Sequence, residues 1–160
     1  MIHASYGCRD PCWSASYDHN VILWDGYCPT HHRIRARDIE ELKAEHPDAK
    51  VAVHPECTED VRALADEVAS TSGILRYACE SGAKEVIMGT EIGMLHRIRT
   101  ECPEVSVYPA SRLADCPNMK LNTLEKMVWS LEDMEHGVSV DPGVAEGAKR
   151  ALERMLEITP

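Results

Sequence analysis

The sequence predicts an α/β fold, with parallel β-sheets sandwiched between helices in a three-layer αβα arrangement. From residue 21 onward, short apolar runs alternate with amphipathic segments of helical spacing. This alternation is typical of parallel sheets whose strands are joined by helices. The length of 160 residues is enough for one domain with a buried core, or for two small ones.

The predicted strands are short apolar runs bounded by polar or turn-forming residues. They cover residues 20–24, 50–53, a short segment near 68, and residues 85–88, 105–107 and 138–140. The predicted helices show apolar residues at helical spacing, and several begin at a residue suited to a helix start: Thr58 and the run from Ser70 as caps, and Pro142 in the first turn. They cover residues 34–45, 58–65, a segment opened at 70–73, and residues 92–100, 122–135 and 142–157.

Residues 1–20 have no usable periodicity, and we expect them to form a poorly ordered leader that is unrelated to the rest of the chain. The α/β region then covers residues 21–160. A division of this region into two small subdomains is expected near residues 105–120.

Charge and hydropathy limit the classes of function. The chain carries 27 acidic and 17 basic residues, a formal net charge of -10, which repels nucleic acid and anionic membranes. No apolar run approaches membrane-spanning length. The N-terminus lacks the basic stretch and apolar core of an export signal, so we expect no signal peptide. We therefore expect a cytoplasmic protein that acts on small molecules.

Seven cysteines are present, an odd number at irregular spacing. This pattern favours reduced thiols or metal ligands over a disulfide scaffold. Cys28 lies in a loop flanked by glycine and proline, and Cys116 precedes a proline in an irregular stretch, a context that recurs around iron–sulfur ligands. For Cys28 the alternative is a small buried apolar residue. Cys79 and Cys102 fall in or at the end of helices and are predicted to be packing residues.

Polar side chains follow four successive predicted strands, and ligands of parallel α/β sheets bind beyond the carboxyl ends of the strands. His54 and Glu56 offer a base and an acid two residues apart, so both point the same way at the end of a strand. Ser70 and Thr71 open a helix and could bind an anion. The alternatives are a backbone contact for His54, a helix cap for Glu56, and a plain N-cap at 70–73. Thr90 and Glu91 could serve the same two roles and are interpreted as a helix cap.

Several segments of the chain resemble the quinolinate synthase family in order and spacing. They are WDGYCPTH at 24–31, VHPEC at 53–57, ADEVASTSG at 65–73, GTEIG at 89–93 and CPNMKLNTL at 116–124. The resemblance extends from residue 21 to about 158. It implies roughly the last two of three pseudo-repeated α/β domains, arranged around a central site.

The resemblance implies a transferase that condenses iminoaspartate with dihydroxyacetone phosphate to quinolinate, in the biosynthesis of NAD. It implies a [4Fe-4S] cluster held by three cysteines, with one iron open to substrate, and Cys28 and Cys116 match the second and third ligands. His54 and Glu56 match the catalytic pair that contacts iminoaspartate, and Thr71, with Ser70 beside it, matches a substrate-binding hydroxyl.

The family's first half, with the first cluster cysteine, has no counterpart in the sequence. A truncated or frame-shifted gene, or a partner polypeptide that supplies the rest, would account for this, and the chain alone is expected to be incomplete as an enzyme. Cys8 and Cys12 stand in no context that resembles the missing ligand. A zinc-binding α/β module using Cys28, His31 or His32, Cys57 and Cys116 is the main alternative, and an inert structural remnant is the other.

Overall fold

The structure, a computed structural model, describes residues 26–158. The predicted leader at 1–20, its two cysteines and the predicted strand at 20–24 lie outside the described residues. The chain divides into two compact units, the first ending at Cys116 and the second beginning at Pro117.

The first unit contains a four-stranded, fully parallel sheet. Its strands are β1 (Lys50–Val53), β2 (Glu67–Val68), β3 (Glu85–Gly89) and β4 (Ser106–Pro109), in the spatial order β2-β1-β3-β4. The helices that precede and connect them are α1 (Ala36–Glu45), α2 (Glu59–Ala63), α3 (Thr71–Glu80) and α4 (Met94–Glu101). The strands predicted at 50–53, near 68, at 85–88 and at 105–107 are therefore confirmed, within two residues at each end.

Successive strand residues point to opposite faces of the sheet, and each face is covered by two helices. On one face, Val51 and Ile87 belong to the same buried cluster as residues of α1 and α2. On the other face, Ala52 and Met88 belong to a cluster with residues of α3 and α4. The predicted three-layer α/β fold is thus confirmed, because both faces of the central strands are apolar and buried.

Helix starts follow the local sequence. Ser70 is the N-cap of α3, where its hydroxyl oxygen accepts a hydrogen bond from the Gly73 N–H at 3.3 Å. Thr58 occupies the N-cap position of α2, as predicted, although its side chain accepts no capping hydrogen bond.

Cys102, which follows α4, is buried in the core cluster of the second sheet face, and the partly buried Cys79 of α3 packs against this cluster, so their predicted packing role is confirmed. The structure also joins them in a disulfide, with a Cα–Cα distance of 5.5 Å. The expectation of reduced thiols is therefore wrong for this pair. The sequence could not predict the pairing, because the two helices become neighbours only when both pack on the same face of the sheet.

The second unit is helical in its described part. A 3₁₀ turn (Met119–Leu121) precedes α5 (Leu124–Glu132), and α6 (Pro142–Ile158) follows. The strand predicted at 138–140 is wrong: these residues have no regular structure, and Val138 is 91% exposed. Val138 and Val140 alternate with a polar residue, as in a strand, but no strand in the described part of this unit is available to pair with them.

None of the helices within residues 26–158 has the length and apolar character needed to cross a membrane.

We expect Gly89→Ala to lower the free energy of unfolding by about 1–3 kcal/mol, the usual cost of overpacking a core. A Cβ at residue 89 would lie 2.7 Å from Val53 Cγ1 and 3.3 Å from Val53 Cα, so β1 and β3 would have to separate. Urea unfolding followed by circular dichroism measures the change. The control is Gly137→Ala, where an added Cβ meets nothing within 4 Å; equal stability losses at both positions would contradict this explanation.

Candidate active site

The candidate site lies at the carboxyl edge of the sheet, where the ends of neighbouring strands are held level. Val53 at the end of β1 is in register with Val68 of β2 and with Gly89 of β3. The loops that follow these three strands therefore begin side by side. They carry His54 to Glu56, Ser70 and Thr71, and Thr90, respectively.

His31 connects two of these loops. Its Nδ1 lies 3.0 Å from Glu56 Oε2, and its Nε2 lies 3.0 Å from Thr90 Oγ1. His31 is only 7% exposed and Thr90 only 1%, whereas the Glu56 side chain is 48% exposed. The result is a chain of polar groups that begins in the interior and ends at a carboxylate open to solvent.

The chemistry of these groups fixes the direction of the hydrogen bonds. An ionised carboxylate only accepts, so His31 Nδ1 donates to Glu56. In the neutral ring Nε2 then accepts from the Thr90 hydroxyl. Burial lowers the pKa of His31, although the Glu56 carboxylate acts in the opposite direction. The imidazole is therefore neutral at pH 7, in the tautomer that this chain of hydrogen bonds requires.

His54 stacks on His31, with ring centroids 4.2 Å apart and an angle of 5° between the planes. Its Nδ1 accepts a hydrogen bond from the Glu56 backbone N–H at 3.3 Å and lies 3.5 Å from Glu56 Oε2. Burial, and then the neighbouring His31, lower the pKa of His54. His54 is thus also neutral at pH 7, and because Nδ1 is an acceptor, its proton is on Nε2.

Backbone contacts fix the loop that carries His54 and Glu56. The His54 N–H donates to the Gly89 carbonyl at 2.9 Å, and Cys57 Sγ donates to the same oxygen at 3.4 Å. The Arg62 guanidinium donates to the carbonyls of Pro55 and Cys57. Burial raises the pKa of the Cys57 thiol to about 12, so the thiol is protonated at pH 7.

Cys28 lies beside this network. Its Sγ, one ring nitrogen of His31 and one carboxylate oxygen of Glu56 all lie within 4.8 Å of one another. Cys28 is partly exposed, as its predicted role as a ligand in a cavity requires. A thiolate, an imidazole and a carboxylate at this spacing are a donor set able to bind a metal ion.

Cys116 lies on the loop that follows β4, and Arg33 ties this loop to the segment that carries Cys28. The Arg33 guanidinium donates to the Asp115 carbonyl at 3.2 Å and to the Leu113 carbonyl at 3.5 Å. The Cys116 N–H donates to Glu91 Oε1 at 3.5 Å. The segments that carry the two predicted cluster cysteines are therefore connected to each other and to the loop that carries Thr90.

Ser70 and Thr71 lie at the same edge, because the Ala69 N–H continues the β2 pairing by donating to the Val53 carbonyl at 3.1 Å. The Ser70 hydroxyl caps α3, as the plain N-cap interpretation predicted. The substrate-binding role of both hydroxyls stays a prediction.

Sequence reasoning missed the central position of His31, which it considered only as a zinc ligand. It also interpreted Thr90 and Glu91 as a cap. The Thr90 hydroxyl instead contacts His31. Glu91 Oε2 accepts from the N–H of Gly93 at 2.7 Å, and α4 itself has no side-chain capping hydrogen bond. The Cys28-x2-His31 spacing was the available signal. It could not reveal partners 25 and 59 residues away along the chain.

Comparison with known proteins identifies a family whose members match this chain. A family model described as quinolinate synthetase A protein matches residues 10–157. Three relatives named quinolinate synthase are similar to this chain. The one from Methanosarcina barkeri is 48% identical over 141 residues, 88% of this chain and 46% of the relative. Those from Thermodesulfovibrio yellowstonii and Dehalococcoides mccartyi (strain ATCC BAA-2266 / KCTC 15142 / 195) are 45% and 50% identical, each over 87% of this chain and 46% of the relative. The chain thus spans about half the length of the curated relatives it matches.

We predict that His31 and Thr90 are energetically coupled. Thr90→Val and His31→Leu each leave a buried polar atom without its partner, at a cost of about 1–3 kcal/mol. The double variant removes both atoms, so it should lose less stability than the sum of the single losses, by about 0.5–3 kcal/mol. Urea unfolding of the four proteins gives the coupling energy. Thr90→Val combined with His96→Leu, an exposed histidine, should be additive; additivity in the His31 cycle as well would contradict the hydrogen bond.

Proposed function

This chain belongs to the quinolinate synthase family, and we propose that it supplies part of an active site that condenses iminoaspartate with dihydroxyacetone phosphate to quinolinate. The reaction is that of a transferase in NAD biosynthesis, and we place it in the cytoplasm. The observation that carries the proposal is the buried Thr90–His31–Glu56 chain, which ends beside Cys28 at the edge of a parallel sheet.

The proposed cofactor is a [4Fe-4S] cluster. Cys28 and Cys116 fit this group, because both thiols lie on loops and are partly accessible, and Arg33 ties their segments together. The bound cluster would supply an iron position open to substrate that acts as a Lewis acid. The third thiol would come from outside the matched region, from a separate polypeptide or a restored first half.

Glu56 is the proposed acid–base group. Its carboxylate is half exposed and can accept a proton from a substrate, while the hydrogen bond from His31 orients it. Thr90 in turn fixes the tautomer of His31. His31 is therefore a positioning residue that acts through Glu56.

His54 is the proposed hydrogen-bond donor to iminoaspartate. Its Nδ1 accepts from the Glu56 N–H, so its Nε2–H is the group that can donate. Thr71, at the start of α3, is proposed to bind the substrate through its hydroxyl, with Ser70 beside it. The expected partners are small-molecule substrates and the missing half of the enzyme; the net charge of -10 disfavours nucleic acid and membranes.

A zinc-binding module is the second candidate function, and the spacing of Cys28, His31 and Glu56 favours it. This set differs from the predicted zinc ligands, because it contains the Glu56 carboxylate and neither Cys57 nor Cys116. Optical absorption separates the two functions: an iron–sulfur protein is brown and a zinc protein is colourless. An inert remnant would bind neither metal.

We predict that anaerobic reconstitution with iron and sulfide gives weak or labile cluster binding that depends on both Cys28 and Cys116. Cys28→Ser and Cys116→Ser should each lower iron and sulfide content and the brown absorption, since each removes one of the two matched thiolates. Cys57→Ser is the control and should leave the iron content unchanged. Undiminished iron and sulfide in Cys28→Ser would remove the basis for the cluster assignment.

We also predict that Glu56→Gln and His54→Ala abolish turnover once the chain is supplemented with the missing half. Removal of a positioned acid–base group costs roughly 10²–10⁴-fold in rate, and the cluster absorption should persist. Thr71→Val should mainly raise KM, because it removes one hydroxyl and keeps the β-branched shape. Steady-state kinetics with chemically generated iminoaspartate measures these effects.

Glu59→Gln, three residues from Glu56 and exposed, and His96→Ala are the matched controls. Both should retain wild-type turnover. If Glu56 had only a structural role, its substitution would cost roughly 0.5–2 kcal/mol of stability, the range for a lost helix cap, and activity would survive below the melting transition. Retained turnover in Glu56→Gln would defeat the catalytic assignment.

A further inference from the structure

The turn that follows β3 begins with two consecutive buried polar residues. Thr90 is 1% exposed and Glu91 is 7% exposed. A buried carboxylate loses its hydration, and this cost must be offset by hydrogen bonds inside the protein. The partners of the Glu91 carboxylate therefore show what this side chain does in the fold.

The Glu91 carboxylate accepts two backbone hydrogen bonds. The Gly93 N–H donates to Glu91 Oε2 at 2.7 Å, and the Cys116 N–H donates to Glu91 Oε1 at 3.5 Å. The first contact is local and lies just before α4. The second joins residues that are 25 positions apart along the chain. Because a hydrogen bond to a carboxylate is stronger than one between neutral groups, Glu91 can fix the backbone at Cys116.

Cys116 lies in a stretch without regular structure. Residues 110–118, which follow β4, form no helix or strand. Beside the Glu91 contact, the Ile92 N–H donates to the Ala114 carbonyl at 2.9 Å. Two consecutive residues of the turn after β3 thus hold this loop at two points. Irregular backbone keeps one conformation only where contacts of this kind restrain it.

The same turn also contacts the segment that carries Cys28. Thr90 Oγ1 lies 3.0 Å from His31 Nε2, and the His32 N–H donates to the Cys28 carbonyl at 3.1 Å. Cys28 and His31 therefore belong to one short, hydrogen-bonded turn. Thr90 thus reaches the first thiol-bearing segment, and the residue after it reaches the second.

We propose that Glu91 is a positioning residue for Cys116, whose backbone it fixes so that this thiol can bind the iron–sulfur cluster together with Cys28. This inference rests on the proposed function, because it takes Cys116 as a cluster ligand. In this role Glu91 touches neither substrate nor cluster and transfers no proton. It acts through the Cys116 N–H, in the way that hydrogen bonds around a metal site orient its ligands.

The first measurement is hydrogen exchange of single amides in the metal-free, full 160-residue chain, followed by NMR with isotope-labelled cysteine. Glu91→Ala should speed exchange of the Cys116 amide by about tenfold, because this amide loses a hydrogen bond to a charged acceptor. The Cys57 amide, which donates to the His54 carbonyl at 3.0 Å, reports on the fold in the same sample. It should keep its wild-type exchange rate.

Glu91→Gln keeps the size of the side chain and provides a second variant if Glu91→Ala does not fold. It replaces a charged acceptor by a neutral one at best, so the Cys116 amide should exchange about threefold faster than in wild type. Glu104→Ala is the matched control, because Glu104 is exposed and lies just before β4. It should change the exchange of neither the Cys116 nor the Cys57 amide.

The second measurement is the iron and sulfide content after anaerobic reconstitution. Glu91→Ala should lower this content to about the level of Cys116→Ser. Combined with Cys116→Ser it should cause no further loss, because both changes remove the same ligand, whereas combined with Cys28→Ser it should cause a further loss. A general loosening of the fold would instead lower the iron content in both backgrounds.

A wild-type exchange rate of the Cys116 amide in Glu91→Ala, or in Glu91→Gln where Glu91→Ala does not fold, would overturn the proposal. Further iron loss on adding Glu91→Ala to Cys116→Ser would overturn it as well. If the wild-type chain bound no iron or sulfide while Glu91→Ala still speeded exchange at Cys116, the positioning of Cys116 by Glu91 would be confirmed. The cluster assignment, and with it the proposed function, would then fail.

Discussion

The pairing of β1 with β3, which ends at Val53 and Gly89, is the contact on which the candidate site depends. A glycine at residue 89 lets the two backbones approach, since a Cβ there would overlap Val53. The carbonyl of Gly89 then accepts from the His54 N–H and from the Cys57 thiol. One peptide group thus fixes the loop that carries the proposed acid–base residues against the strand that leads into Thr90.

This arrangement also determines the electrostatics of the site. With Thr90 buried and Glu56 open to solvent, His31 spans the boundary between interior and water. A charged imidazole at this depth would lose hydration, which is why the pKa of His31 is lowered despite the nearby carboxylate. A second imidazole stacked on the first lowers the pKa of His54 further, because two adjacent cations would repel each other. The site therefore holds two neutral histidines beside one carboxylate, a set suited to proton transfer near neutral pH.

Local sequence was sufficient for the layers of the fold and insufficient for the partners in the site. The run at 50–53 identified β1 because an apolar strand buried on both faces differs from a helix in length and composition. The same rule failed at 138–140, where two alternating valines satisfy the pattern but no neighbouring strand is present within the described part of that unit.

His54 and Glu56 could be paired from the sequence because two residues at a strand end share a direction. His31 could not, since its partners belong to loops that only the β1–β3 register brings together. The disulfide between Cys79 and Cys102 could not be predicted for the same reason, because it depends on two helices that share one face of the sheet.

The network of Thr90, His31 and Glu56 and the helices α5 and α6 belong to different units of the chain and depend on different forces. Thr90, His31 and Glu56 are held by short hydrogen bonds in a unit with its own core, so the chain alone can form this arrangement. Helices α5 and α6 expose their apolar faces and gain stability only when those faces are covered. Substitutions in the network should therefore alter the site and leave the helices of the second unit unchanged.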